Sequence, residues 1–394
     1  MKSEWKTIRA ADFIDFNPRQ SLKRGVLATK VAMDKLNPFS KKIPETEKAE
    51  FGGGSKFCNG DTLMARITPC LENGKTAFVD VLSNGEVGFG STEFIVMRAK
   101  AGVSDPQYVY YTAINPAFRN VAIKSMVGSS GRQRVQQSVL DELELRVPDL
   151  AEQQRIGTFL ANFDEKIALN AAINDHLEQQ AQTYFQELFV DDADPQWATG
   201  TISNLGQVVG GSTPSKAKPE YYTKSGIAWI TPKDLSVNKS KFITHGETDI
   251  TELGLKNSSA SIMPEGTVLF SSRAPIGYIA IAAGEVTTNQ GFKSVIPKAE
   301  VGTAFMYFFL KHNLPVIEGM ASGSTFKEIS GSTMKNVPAV IPDTKTLSRF
   351  NDFCSPIFAQ QQILEKQNQD LALLRDALLP KLMSGEIDVS AIQL

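Results

Sequence analysis

Apolar and polar positions follow two different rhythms along the chain, and each rhythm occurs twice. The first third holds short runs rich in β-branched and aromatic residues: "DTLMARI" (Asp61–Ile67), "KTAFVDV" (Lys75–Val81) and "EFIVMRA" (Glu93–Ala99). Gly, Asn and Pro break them, so they predict strands of a curved sheet with long loops. A short apolar helix is predicted at "PQYVYYTAI" (Pro106–Ile114). After Pro148-Asp149 the rhythm changes. Small or apolar residues step by four and three through Ile156, Leu160, Phe163, Ile167, Asn170, Asn174, Leu177, Ala181, Tyr184 and Leu188. This is the heptad stripe of a helix that needs a partner helix. Proline cannot continue a sheet ladder, and Asp149 can accept hydrogen bonds from the first free N–H groups of the helix.

The same order then returns. "GTVLFSS" (Gly266–Ser272), "YIAIAAG" (Tyr278–Gly284) and "FKSVIP" (Phe292–Pro297) precede the apolar "TAFMYFFLKH" (Thr303–His312). Pro342-Asp343 is followed by a second stripe: Phe350, Phe353, Ile357, Gln360, Leu364, Gln367, Leu371, Leu374 and Leu378. The offset from Pro148 to Pro342 also places "SMVGSSGRQRV" (Ser125–Val135) on "GMASGSTFKEI" (Gly319–Ile329), and Ile8, Ala11 and Ile14 on Ile202, Leu205 and Val208. The chain therefore reads as an internal duplication. The predicted fold class is α/β: two mixed domains, at 1–148 and 196–342, and two long helices, at 149–195 and 343–394. Each helical segment of about 40 residues would span roughly 60 Å. The stripe residues expected to pair include Ile156, Leu160, Phe163, Ile167 and Leu177 on one helix and Phe353, Ile357, Leu364, Leu371 and Leu374 on the other. Duplicated halves favour a twofold contact, so antiparallel pairing with a pseudo-twofold within the chain is expected.

At 394 residues, two or more domains are expected on length alone. The net charge of −2 hides a pattern. Residues 1–140 carry about +7, 141–194 about −10, 195–340 about +3 and 341–394 about −2. The two predicted domains are mildly basic and the helical segments acidic. No apolar run is long enough to cross a membrane, the start "MKSEWKTIRAAD" lacks an apolar signal segment, and Cys58, Cys70 and Cys354 are scattered. A cytoplasmic location is expected.

Catalytic sets are missing from the sequence. His176, His245 and His312 stand apart from any Cys or Asp at metal-ligand spacing. No phosphate-cradling loop is followed by Lys and Ser or Thr, and "FGGGSK" (Phe51–Lys56) lacks the strand–loop–helix frame and reads as a flexible loop. Pro148-Asp149 with Asp164-Glu165-Lys166 imitates a metal-nuclease spacing, but the second copy keeps only Pro342-Asp343. "INPAF" (Ile114–Phe118) is not the Asn-Pro-Pro-Tyr type of tetrapeptide with which an amino-methyltransferase holds its base. What remains is polar loop chemistry suited to phosphates and base edges. The first domain offers Arg19, Lys23 and Arg24 in "NPRQSLKRG" (Asn17–Gly25), then Arg66, then Ser129, Ser130, Arg132, Gln133 and Arg134 in "VGSSGRQR" (Val127–Arg134). The second offers Ser212, Thr213, Lys216 and Lys218 in "GGSTPSKAK" (Gly210–Lys218), then Lys233 and Arg273, then Ser324, Thr325 and Lys327 in "ASGSTFKE" (Ala321–Glu328). Phe326 and Trp229 offer ring faces for a sugar or base. A coiled-coil adaptor that binds only proteins is the alternative, and it leaves these duplicated basic loops without a role.

Four segments carry a family likeness: "TISNLGQVVGGSTPSK" (Thr201–Lys216), "GIAWITPKDLS" (Gly226–Ser236), "VPDLAEQQRIGTFLANFDEKI" (Val147–Ile167) and "LLRDALLPKLMSGEIDV" (Leu373–Val389). Over essentially its whole length the chain resembles the specificity subunit of type I restriction–modification enzymes. The second helix start, "IPDTKTLSRFNDF", departs from the pattern by lacking the Glu-Gln pair found at Glu152-Gln153. The resemblance implies that each domain is a target-recognition domain reading one half of a split DNA sequence, with the helices as a ruler between the halves. It implies two modification (methyltransferase) subunits docked on the helices and restriction (motor–nuclease) subunits joining them. S-adenosylmethionine, ATP and Mg would then reside on those partners, and this chain would bind no cofactor or metal and catalyse nothing. One turn inserted into a long helix should change the spacer and leave both half-sequences unaltered.

Overall fold

The structure, a computed structural model, describes residues 5–129, 131–323 and 327–389. It divides into two compact units: Met1–Leu169 with Asn368–Leu394, and Asn170–Gln367.

In the first unit the two ends of the globular part are zipped together. Lys6–Arg9 pairs antiparallel with Glu144–Val147, the strand that ends at the proline. A four-stranded sheet runs in the order Ile14–Phe16, Phe94–Ala99, Thr62–Ala65, Thr76–Phe78. A second four-stranded sheet runs in the order Glu47–Glu50, Leu27–Val31, Gly88–Gly90, Ser55–Phe57. The helix Pro106–Ile114 starts as its sequence dictates: Pro106 occupies the first turn and the Asp105 carboxylate accepts from the Tyr108 N–H at 3.0 Å. Its apolar residues Tyr108, Tyr110 and Tyr111 are buried against Phe13, Met64 and Ile95.

The second unit repeats this plan. Ala198–Thr201 pairs antiparallel with Pro338–Ile341. Its five-stranded sheet begins Gly206–Gly210, Lys293–Pro297, Val268–Ser272, Ile276–Ala282, the counterparts of the first unit's order, and adds Phe242–Ile243 at the edge. The helix Thr303–His312 is buried through Phe305, Phe308 and Leu310.

The long helices run over Leu150–Gln186 and Thr344–Ser384. Both starts are capped by the aspartate after the proline: Glu152 N–H donates to Asp149 at 2.9 Å and Thr346 N–H to Asp343 at 2.9 Å. Two bonds from Thr346, through its N–H and its hydroxyl, followed by one from Trp197, hold the Asp343 carboxyl below the ordinary carboxylate range. Gln153 pins the first helix start, donating to the carbonyls of Pro148 and Val103 and accepting from Asp105 N–H. Its counterpart Leu347 is buried in the apolar core of the second unit, so the missing Glu-Gln pair is replaced there by apolar packing.

Each unit holds a stretch of both long helices, running antiparallel. In the first, Arg375 meets Asp164 and Asn368 Nδ2 donates to the Ile167 carbonyl at 3.2 Å. In the second, Asn170 Nδ2 donates to Gln367 Oε1 at 3.4 Å, Gln361 Nε2 to the Asn174 carbonyl at 3.1 Å, and the Tyr184 and Phe353 rings lie 4.6 Å apart. Ile156, Leu160, Ile357 and Leu364 are buried as their stripe predicts, and Phe163, Ile167, Leu177 and Leu371 are half-buried. Leu374 is corrected: it is 50% exposed, and its neighbour Arg375 takes the inward position, whereas Phe353, though 41% exposed, meets Tyr184 of the other helix. Arg375 turns inward because a buried carboxylate, Asp164, awaits it.

Candidate nucleic-acid interface

In both units three loops meet at one end of the sheet, held by the same backbone bonds. In the first unit, Arg66 N–H donates to the Glu93 carbonyl (2.9 Å) and Val135 N–H to the Arg66 carbonyl (2.9 Å). In the second, Ser272 N–H donates to the Gly291 carbonyl (2.7 Å) and Ile329 N–H to the Ser272 carbonyl (3.0 Å). The hairpin bridge Val127↔Arg134 has its counterpart in Ser322↔Glu328, and cis X–Pro bonds follow at Thr68-Pro69 and Ala274-Pro275. Arg66 therefore corresponds to Ser272, Glu93 to Gly291 and Arg134 to Glu328.

The second unit forms an open groove of about 730 Å³ there. It collects Thr213, Lys216, Lys233 and Arg273 from the sequence candidates, together with Trp229, Asn289 and Gln290. Gly211 lets the loop after strand Gly206–Gly210 enter, since a Cβ there would lie 2.0 Å from the Asn289 carbonyl oxygen. Ser212 is fixed by its N–H to the Thr288 carbonyl and by Trp229 Nε1 donating to its own carbonyl, both through main-chain atoms. Trp229 is 7% exposed, which leaves it a wall of the groove rather than a free stacking face. The acids of the groove are already occupied: Asp234 accepts from Thr231 and from Glu247 N–H, and Glu247 from Lys233 at 2.7 Å. What faces solvent is thus weighted toward donors. Lys218 pairs with Glu220 at 3.7 Å outside the groove lining. Lys327 is exposed on the hairpin. Ser324, Thr325 and Phe326 lie outside the described residues.

In the first unit Arg66, Gln133 and Arg134 come together. Arg66 donates to the Val135 carbonyl at 3.3 Å and so braces the hairpin. The Gln133 carbonyl accepts from Thr68 N–H. Arg134 forms a forked pair with Glu93, as close as 2.6 Å, which holds the Glu93 carboxyl below its ordinary range. In the second unit the sign at this hairpin position is reversed: Glu328 faces Arg273 at 3.4 Å and Lys293 at 3.8 Å. Ser129 and Arg132 form the exposed hairpin tip, with Arg132 N–H donating to the Ser129 carbonyl. Ser130 lies outside the described residues. Arg19, Lys23 and Arg24 are exposed on the loop after Ile14–Phe16, and that loop is tied to the second sheet by Lys56 Nζ donating to the Gln20 carbonyl. Gly54 and its neighbours, read as a flexible loop, approach that sheet closely: a Cβ on Gly54 would lie 2.0 Å from the Gly90 carbonyl oxygen. Asn289 and Gln290 are groove residues that sequence reasoning missed, because an Asn-Gln pair in a turn gives no pattern.

Among the described residues no group of His, Cys, Asp and Glu could hold a metal ion, and no helix is long and apolar enough to cross a membrane.

Comparison with known proteins agrees with this architecture. The type I restriction modification DNA specificity domain matches residues 36–179 and 195–372. The MjaIX specificity subunit of Methanocaldococcus jannaschii is 40% identical over 194 residues, 47% of this chain and 45% of that protein. The chain thus spans about half the length of that relative. The HindI specificity subunit of Haemophilus influenzae is 25% identical over 407 residues, covering 83% of this chain and 86% of the relative. A crystal structure of the type I restriction-modification S subunit from M. genitalium shares the fold, with a TM-score of 0.60, 16% identity and coverage of 97% and 96%. Two matched specificity domains, each covering most of a globular part and running into the helix after it, settle the assignment: the chain belongs to the type I restriction–modification DNA specificity family.

Proposed function

We infer that this chain is the DNA-recognition subunit of a type I restriction–modification complex, with each unit reading one half of a bipartite duplex target. The observation that carries this is the repeated loop frame: the same backbone bonds present different polar side chains in the two units. A shared frame gives a common docking geometry, and different side chains give two different half-sequences. The long helices act as an antiparallel coiled coil that sets the spacer, a role supported by the helix contacts within each unit. Two methyltransferase subunits dock on them, and restriction subunits complete the cleaving form. S-adenosylmethionine, ATP and Mg are bound by those partners, and this chain directs the chemistry without catalysing it. A cytoplasmic location follows from that role.

A gel shift on a duplex carrying the target, with chain and methyltransferase subunit together, tests the reading. Binding should weaken steeply and log-linearly with salt as phosphate contacts are lost. A complex that binds no duplex at low salt would leave a protein-only adaptor as the correct description.

A further inference from the structure

The common frame makes it possible to compare the two units residue by residue where the loops meet. Because Arg66 matches Ser272 and Glu93 matches Gly291, Arg273 occupies the place of Ile67, and Gln290 the place of Thr92. The second unit therefore carries a guanidinium and a carboxamide where the first carries a methyl-rich side chain and a hydroxyl. We propose that Arg273 and Gln290 are the base-reading residues of the second unit, and that the base Arg273 reads is a guanine.

The geometry supports this in three ways. Arg273 lines the groove with a side chain that is 37% exposed, and its ion pair among the described residues is the long, partly exposed contact with Glu328 at 3.4 Å. That contact engages Nη1 alone, so the other guanidinium donors are not used by it. Its backbone is fixed on both sides, by the two hydrogen bonds at Ser272 and by Ala274, which is held at φ +54°, a left-handed conformation that alanine avoids. Gln290 is exposed beside Arg273, across the Ser272–Gly291 bond, and its Oε1 accepts from Thr213 Oγ1, so the carboxamide is oriented with Nε2 left to donate. The turn beneath it is locked by Asn289 Oδ1 accepting from Gly291 N–H at 2.8 Å. Both readers thus present donors. Among base edges in the major groove, guanine alone offers two adjacent acceptors, N7 and O6, which a guanidinium meets bidentately. Ile67 has no such capacity, so the two halves of the target must differ at this frame position.

The inference rests on the DNA-recognition reading, and the experiment separates the two. The full-length chain, expressed with its methyltransferase subunit, selects bound molecules from a randomised duplex pool, and the selected sequences are compared. The variants are Arg273→Lys, Arg273→Ile and Gln290→Thr, each checked for a wild-type melting temperature. Discrimination at one or two positions of a single half-site should fall about ten- to hundredfold. The other half-site and the spacer should be unchanged. Arg273→Lys keeps the charge without the fork, so it should relax the guanine position while retaining most of the affinity. Variants that all select the wild-type sequence would overturn the inference alone. So would Arg273→Lys retaining full guanine preference. A wild-type complex that selects no sequence at all would instead overturn the DNA-recognition reading.

Discussion

Arg375 shows how one side chain joins the two long helices within the first unit. It and Asp164 are 6% and 7% exposed, and Asp164 also accepts from the Tyr111 hydroxyl. Arg375→Ala would leave a buried carboxylate without its cation, at a cost of about 3–5 kcal/mol. Replacing both partners with leucine or methionine should be close to neutral, so denaturant midpoints of the single and double variants distinguish a stranded charge from lost packing. Glu86 makes a different residue-scale prediction. Lys48 and then Thr29 donate to its carboxylate and hold its pKa at about 2, against an ordinary value of 4.5. A group lowered in this way contributes its full stability above the ordinary value and loses it as pH falls toward the native one. Glu86→Gln should therefore be less stable than the wild type at neutral pH. The gap should close between about pH 4.5 and pH 2, measured by denaturant unfolding across that range.

At the scale of elements, the order of strands, apolar helix, Pro-Asp and long helix was legible because each carries a local signal. Pro148-Asp149 and Pro342-Asp343 both cap helices where expected. The stripe on the second helix was less legible. Stepping by fours and threes selects Gln360 and Leu374, each one position from the buried Gln361 and Arg375, while Phe353 and Gln367 still meet Tyr184 and Asn170 of the other helix beside the inward Cys354 and Asn368. Polar residues occupy the inward line because their partners, Asn174, Ile167 and Asp164, come from the other repeat, which no local pattern reveals. The corrected line is testable. Leu374→Lys should change stability by less than about 0.5 kcal/mol, as an exposed substitution does. Leu364→Ala should cost about 2–5 kcal/mol, because it empties a buried site. Thermal melts of the two variants check both values. The loop ends were half legible. Basic and hydroxyl residues marked segments that the fold brings together at the loop ends, but the tying of Arg134 to Glu93 and the pairing of Thr213 with Gln290 needed the fold.

For the whole molecule, the central claim is that helix length sets the distance between the two sequences read. The helices of 37 and 41 residues each contribute to both units, and among the described residues neither loop cluster draws a residue from them, so the proposed role assigns a change in helix length to the spacer alone. One inserted turn of four residues adds about 6 Å of rise. Against a rise of about 3.4 Å per base pair, that is one or two base pairs. The most direct measurement is to insert one turn in the central helix near Asn170, express the chain with its methyltransferase subunit, and map the methylated genomic positions. The account predicts the same two half-sequences separated by a spacer longer by about one or two base pairs. Modified sites with the original spacer would contradict it.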